Sequence, residues 1–164
     1  MQAVSKTILC AGVAPARADD CAAMLNASIA VAKTPYSATV VKTGAMSGTD
    51  QVIYTGKVMY VQTRGVWHGL VMTPDEIVAE AKEKDKVKHS CERLGDESVG
   101  GEAATLYAMH TDTEAGHVDS RIWISKLRGL LLKSEIHLQN ATMVETFKYG
   151  AVTPPAGVKL LGAK

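Results

Sequence analysis

The chain reads as an α+β protein: one wide, curved antiparallel sheet of about eight to ten strands, with helices over its apolar face. Three observations carry that reading. Two segments have helical spacing, one near the N-terminus and one in the middle. The intervening and following stretches are short runs rich in Val, Thr and Tyr, broken by Gly44, Gly48, Gly56, Gly65 and Gly69. The order is helix, a block of strands, helix, a second block of strands. A doubly wound parallel sheet would alternate strand with helix instead.

The first helix is expected over 20–33, an Ala-rich segment with Cys21, Leu25, Ile29 and Ala32 at helical spacing. Pro35 stops it, because the residue before a proline is pushed out of the helical region. Four strand candidates follow at 36–43, 51–56, 57–63 and 65–72. Thr55-Gly56-Lys57 and Thr63-Arg64-Gly65 are the tight turns between them. The second helix starts at Thr73-Pro74-Asp75-Glu76. There Thr73 caps, Pro74 suits the first helical position, and Glu76 completes a capping box. It runs to residue 86 with Glu80 and Lys84 as an i,i+4 pair, and its mixed charges make a solvated face. Five more strands are expected at 88–94, 102–112, 117–126, 129–138 and 142–150. Pro154-Pro155 then ends regular structure, leaving a tail that closes with Leu160-Leu161.

Composition narrows the function. Of 164 residues, 46% are hydrophobic, 5% aromatic and 21% charged, with a formal charge of +1. That is too apolar and too neutral for a disordered chain, and it lacks the basic excess of a nucleic-acid binder. No apolar run approaches the ~18 residues of a membrane-spanning helix. Three cysteines are too few for a disulfide scaffold or a four-cysteine zinc site.

Residues 1–18 have the order of a secretory signal. Lys6 precedes a short apolar stretch from Thr7 to Ala14, then come Pro15 and the small-x-small pattern Ala16-Arg17-Ala18. The alternative is a cytosolic N-terminus. Leu9 before Cys10 is wrong for a lipoprotein signal. Cleavage after Ala18 would leave residues 19–164 as a single domain, with sixteen basic against seventeen acidic residues. Cys21 and Cys91 would then face an oxidising compartment, where a disulfide is natural. Closing so long a loop would stabilise by roughly 4 kcal/mol. A catalytic or metal-binding pair would show closer spacing, such as C-x-x-C.

Candidate chemistry is sparse. If Thr113–Gly116 is a four-residue hairpin loop, Asp112 faces His117 and His110 faces Asp119, all on one side. These four side chains could hold a divalent metal, or form two cross-strand charge pairs on the solvent side. No G-x-S-x-G, H-E-x-x-H or glycine-rich phosphate loop occurs. No catalytic constellation and no cofactor site is read from the chain. What remains is apolar surface. Leu130, Leu132, Ile136 and Leu138 share one parity, and Val118, Ile122 and Ile124 another, with Tyr107 and Met109 in line. Met143, Phe147 and Tyr149 continue it on the last long strand, where Glu145 intrudes. Such a face is either a filled core or a hydrophobic ligand cavity.

Two stretches carry more than composition: R-I-W-I-S-K-L-R-G-L-L-L-K-S-E at 121–135 and T-F-K-Y-G-A-V-T-P-P-A-G at 146–157. The upstream K-V-M-Y-V-Q-T-R-G-V-W at 57–67 and G-E-A-A-T-L-Y-A at 101–108 fit the same pattern. Together they resemble periplasmic proteins of the LolA/LolB-like superfamily, including its MucB/RseB-like sensor branch. The resemblance implies a half-barrel whose apolar concave face accepts acyl chains, in a Gram-negative periplasm. It implies a non-enzymatic protein that binds a lipid or lipoprotein acyl chain, with peripheral membrane contact and no nucleic-acid partner. The alternative within the same superfamily is an envelope sensor or protein-interaction domain with a filled core. On the first reading the cavity is lined by Val58, Tyr60, Tyr107, Met109, Ile122, Ile124, Leu130, Leu132, Ile136 and Phe147.

Overall fold

The structure, a computed structural model, describes residues 18–114 and 116–161. Apart from Ala18, the expected leader lies outside the described residues. Two helices, α1 (Ala18–Ala32) and α2 (Pro74–Asp85), accompany ten strands. The first four strands are β1 (Tyr36–Gly44), β2 (Gly48–Tyr54), β3 (Val58–Thr63) and β4 (Val66–Val71). After α2 come β5 (His89–Val99), β6 (Glu102–Thr113), β7 (Gly116–Ser125), β8 (Leu131–Leu138), β9 (Ala141–Tyr149) and β10 (Leu160–Leu161). All ten lie in one open sheet, in the order β10-β4-β3-β2-β1-β9-β8-β7-β6-β5. The architecture is the expected α+β half-barrel, curved and not closed. Among the described residues no helix is long and apolar enough to cross a membrane.

Every long pairing is antiparallel, but β10 pairs in parallel with β4 through Leu160↔Gly69 and Leu161↔Leu70. The tail after the prolines was expected to be irregular. It returns to the sheet edge because Gly69 offers no side chain there: a Cβ on Gly69 would sit 2.7 Å from the Leu160 side chain. β5 is also longer than expected. It continues past Leu94 to Val99 through an irregularity between Arg93 and Gly95.

α2 begins as its sequence dictates. The Thr73 hydroxyl accepts from the Glu76 amide at 3.3 Å, and the Thr73 amide donates to the Glu76 carboxylate at 2.7 Å. These bonds hold the Glu76 carboxyl below its ordinary pKa. No residue of α2 is fully buried. Of the expected α1 stripe, Ala32 is buried and Cys21 packs inward, but Leu25 and Ile29 are only half-buried, and Met24, Ala27 and Val31 point to the core instead. Ala27, 2% exposed, is small enough to let the helix pack closely against the sheet there.

The disulfide Cys21–Cys91 is formed, with a Cα–Cα distance of 5.2 Å, and it ties the first turn of α1 to β5. Met24, Ala27, Cys91 and Ile124 pack together there, flanked by Tyr107, Met109 and Ile122. Further along, Val31 meets Tyr36, Ala38, Val52, Tyr54 and Leu130. α1 thus crosses the helix-bearing, inner face of the sheet diagonally, from β5–β7 to β1–β2.

Candidate functional site

Strand register decides which residues line the inner face. Tyr36, Ala38 and Val40 of β1 stand opposite Tyr54, Val52 and Asp50 of β2 and opposite Tyr149, Phe147 and Glu145 of β9. Met59 and Val61 of β3 continue the row from Tyr54 and Val52. On the other side, Glu145 and Met143 face Ser134 and Ile136 of β8, which face Ile122 and Ser120 of β7. Tyr107 and Met109 of β6 complete the row against Ile122 and Ser120.

Seven of the residues expected to line a cavity are on this face or packed against it: Tyr107, Met109, Ile122, Ile124, Leu130, Ile136 and Phe147. Three are not. Val58 and Tyr60 have the opposite parity, because Tyr54 pairs with Met59 and puts Met59 and Val61 inward. Leu132 lies on the outer face. A register shift between Trp123 and Ile124 lets Leu131 pair with Ile124, so Leu132 joins Ala104, Leu106 and Trp123. Sequence reasoning missed Met59, Val61 and Leu131.

The inner face is unevenly covered. Beneath α1, Tyr36, Ala38, Val52 and Tyr54 are buried. Val40, Val61 and Met109 pack against the clusters that α1 forms yet stay half-buried, and Ile136, Leu138 and Met143 are half-buried as well. Between these zones sits an aromatic cluster. The ring centroids of Tyr36 lie 5.7 Å from Tyr54 and 5.4 Å from Phe147, and Phe147 stacks on Tyr149 at 6.2 Å. Tyr149 donates to the Leu131 carbonyl at 2.6 Å, and Arg128 stands over its ring at 5.2 Å.

Polar groups on this face are few. Lys42 and Asp50 close a 2.6 Å ion pair. Burial raises the Glu145 pKa above the ordinary carboxylate value. Burial, then the neighbouring Glu145 and Tyr54, push the Tyr36 phenol well above its ordinary value. The fully buried Tyr54 hydroxyl has no hydrogen-bond partner among the described residues.

On the outer face the β6–β7 hairpin has the expected register, Asp112↔His117 and His110↔Asp119. The four side chains form two separate pairs, each with Nδ1 2.5 Å from a carboxylate oxygen. The His110 hydrogen bond holds Asp119 below its ordinary pKa. All four are more than half exposed, and the four do not converge on a common point within metal-ligand reach. A depression of about 330 Å³ lies beside the His110–Asp119 pair, lined also by Glu92, Leu94, Arg121 and His137. Cys21, His89 and Cys91 are the one trio of ligand-type residues gathered within 4.8 Å among the described residues, and both sulfurs are committed to the disulfide.

No protein-family model and no curated protein matches the chain. Solved structures do. The lipoprotein LppX of Mycobacterium tuberculosis aligns with a TM-score of 0.58 at 12% identity, over 82% of this chain and 97% of LppX. LprF from Mycobacterium bovis gives 0.53 at 13% identity, over 88% of this chain and 100% of LprF. MucB of Pseudomonas aeruginosa, in its complex with MucA, gives 0.55 at 14% identity, over 84% of this chain and 59% of MucB. The helix-covered open half-barrel is therefore the fold that this chain shares with LppX, LprF and MucB.

Proposed function

We propose that this chain is a non-enzymatic envelope protein that binds a hydrophobic ligand, the acyl chain of a lipid or lipoprotein, on the inner face of its half-barrel. The observation that carries the reading is the incomplete roof. α1 packs over the aromatic end and over the Cys91–Ile124 cluster, α2 buries none of its own residues, and an apolar row from Val40 through Met143 to Ile136 stays half-open. A filled core would bury that row. An acyl chain laid along it gains roughly 0.8 kcal/mol per methylene removed from water. Flexible methionines at 59, 109 and 143 adapt to an irregular chain. The likeness to the lipoprotein LppX supports the compartment, as do the signal-like residues 1–18. Export to a Gram-negative periplasm, with the leader removed, belongs to the same proposal.

The test is lipid extraction of protein purified from the periplasm, followed by mass spectrometry. A fatty-acyl lipid near one per chain is expected. Absence of lipid, together with no uptake of an environment-sensitive acyl probe, contradicts the reading. A second reading is favoured by the likeness to MucB, whose structure includes MucA: a domain that works by docking an envelope protein. Cross-linking in the periplasm that recovers one stoichiometric protein partner, with no lipid, would favour it.

A further inference from the structure

The inner face carries a carboxylate that its own surroundings do not use. Glu145 lies in mid-β9 between Met143 and Phe147, with Val40 across one strand boundary and Ser134 across the other. No hydrogen bond or ion pair reaches it among the described residues. Lys42, two positions along β1 from Val40, is already paired to Asp50 at 2.6 Å. Four outer-face carboxylates, Glu97, Glu102, Asp112 and Asp119, each have a named partner, as does Asp50 on the inner face. The Tyr54 hydroxyl, on the same inner face and fully buried, is also unpartnered. Both groups act electrostatically on the Tyr36 phenol that stands between them in the sheet. A half-buried acceptor without a donor is unfavourable for the protein alone, and a ligand that donates a hydrogen bond to it relieves that cost.

We propose that Glu145 is a specificity-determining residue that makes this face prefer amphiphiles ending in a hydroxyl over those ending in a carboxylate. The inference rests on the ligand-binding reading above. A neutral lipid hydroxyl donates to the Glu145 carboxylate while its chain lies along Ile136, Met143 and Val40. A fatty-acid carboxylate arriving at the same place sets like charges together on an apolar surface, where water screens them weakly.

The experiment uses the full delipidated chain at pH 8, with an uncharged fluorescent naphthylamine as reporter. A monoacylglycerol and the fatty acid of equal chain length compete for the site. The monoacylglycerol is expected to displace the reporter at about tenfold lower concentration. Glu145→Gln keeps a hydrogen-bonding side chain and removes the charge, so it should bring the two lipids within about threefold. Glu145→Leu should abolish the preference by weakening the monoacylglycerol. Equal displacement by the native chain, or a ratio that Glu145→Gln leaves unchanged, overturns this inference and leaves the ligand-binding reading standing. Failure of the reporter and of both lipids to bind overturns both.

Discussion

The two faces of the one sheet treat their apolar residues in opposite ways. On the outer face, Ala104, Leu106, Trp123 and Leu132 form a small buried cluster that charged side chains seal. Lys133 lies 4.3 Å over the Trp123 ring, and the indole N–H donates to Glu97 at 2.7 Å. Nearby, Glu102 accepts from Ser125 and takes the Arg128 guanidinium at 2.6 Å. On the inner face the apolar row is longer, half-open, and holds a carboxylate and a phenol without partners. A region whose polar groups are satisfied internally has a structural role. A region with open apolar surface and unused polar groups is where the proposed function places the ligand.

Cutting the tether between α1 and β5 is expected to have the largest effect on that contrast. Cys21→Ser with Cys91→Ser should cost about 4 kcal/mol, since the bond closes a loop of 70 residues. Urea unfolding with and without reductant checks it. An unchanged midpoint would show that α1 is held by packing alone. Next, Trp123→Ala should cost about 3 kcal/mol while leaving acyl-probe affinity unchanged. Ile136→Ala should do the reverse, costing about 1 kcal/mol because its site is half-open, and weakening the probe several-fold. If Trp123→Ala altered affinity as much as Ile136→Ala, the two faces would not be functionally distinct.

The faces should also respond to pH with opposite sign. The Glu145 pKa is raised in the folded state, so its penalty is absent below the unfolded value and grows as pH rises through the folded one. Glu145→Gln should therefore raise Tm at pH 8 and have no such effect near pH 4. Glu102 and Asp119 are lowered, chiefly by hydrogen bonds from Arg128 and His110 respectively. Their contribution is present above the unfolded pKa and is lost as pH falls through the folded one. Both are largely solvent-screened, so the loss is small. Paired Tm–pH curves for the native chain and Glu145→Gln separate the inner term from the outer ones. The smallest change is expected on α2, where Thr73→Ala removes the cap for about 1 kcal/mol. Lys84→Ala breaks only an exposed 2.7 Å pair with Glu80, for less than about 0.5 kcal/mol.

The sequence was most legible where structure is local. The capping box at Thr73 and Glu76 and the β6–β7 register both follow from residues within a few positions of one another. Legibility failed where parity depends on a distant partner. Val58, Met59, Tyr60 and Val61 are consecutive apolar residues, so alternation cannot choose a face, and only pairing with Tyr54 and Val52 does. Leu132 was misplaced because one irregularity opposite Trp123 reverses parity midway through a run of three leucines. The β10 pairing depends on a glycine ninety residues earlier in the chain, Gly69, and nothing in Leu160-Leu161 signals it. Glu145 was visible as an interruption of an apolar face. Its isolation became visible only when β1 and β8 closed in on either side.

On the proposed function the inner face, and not the outer, receives the ligand. Native mass spectrometry of the full chain with a monoacylglycerol tests it most directly, comparing Ile136→Glu on the inner face with Leu94→Glu at the outer depression. One lipid adduct per chain is expected, lost in Ile136→Glu and retained in Leu94→Glu. No adduct on the native chain, or an adduct lost only in Leu94→Glu, would contradict it.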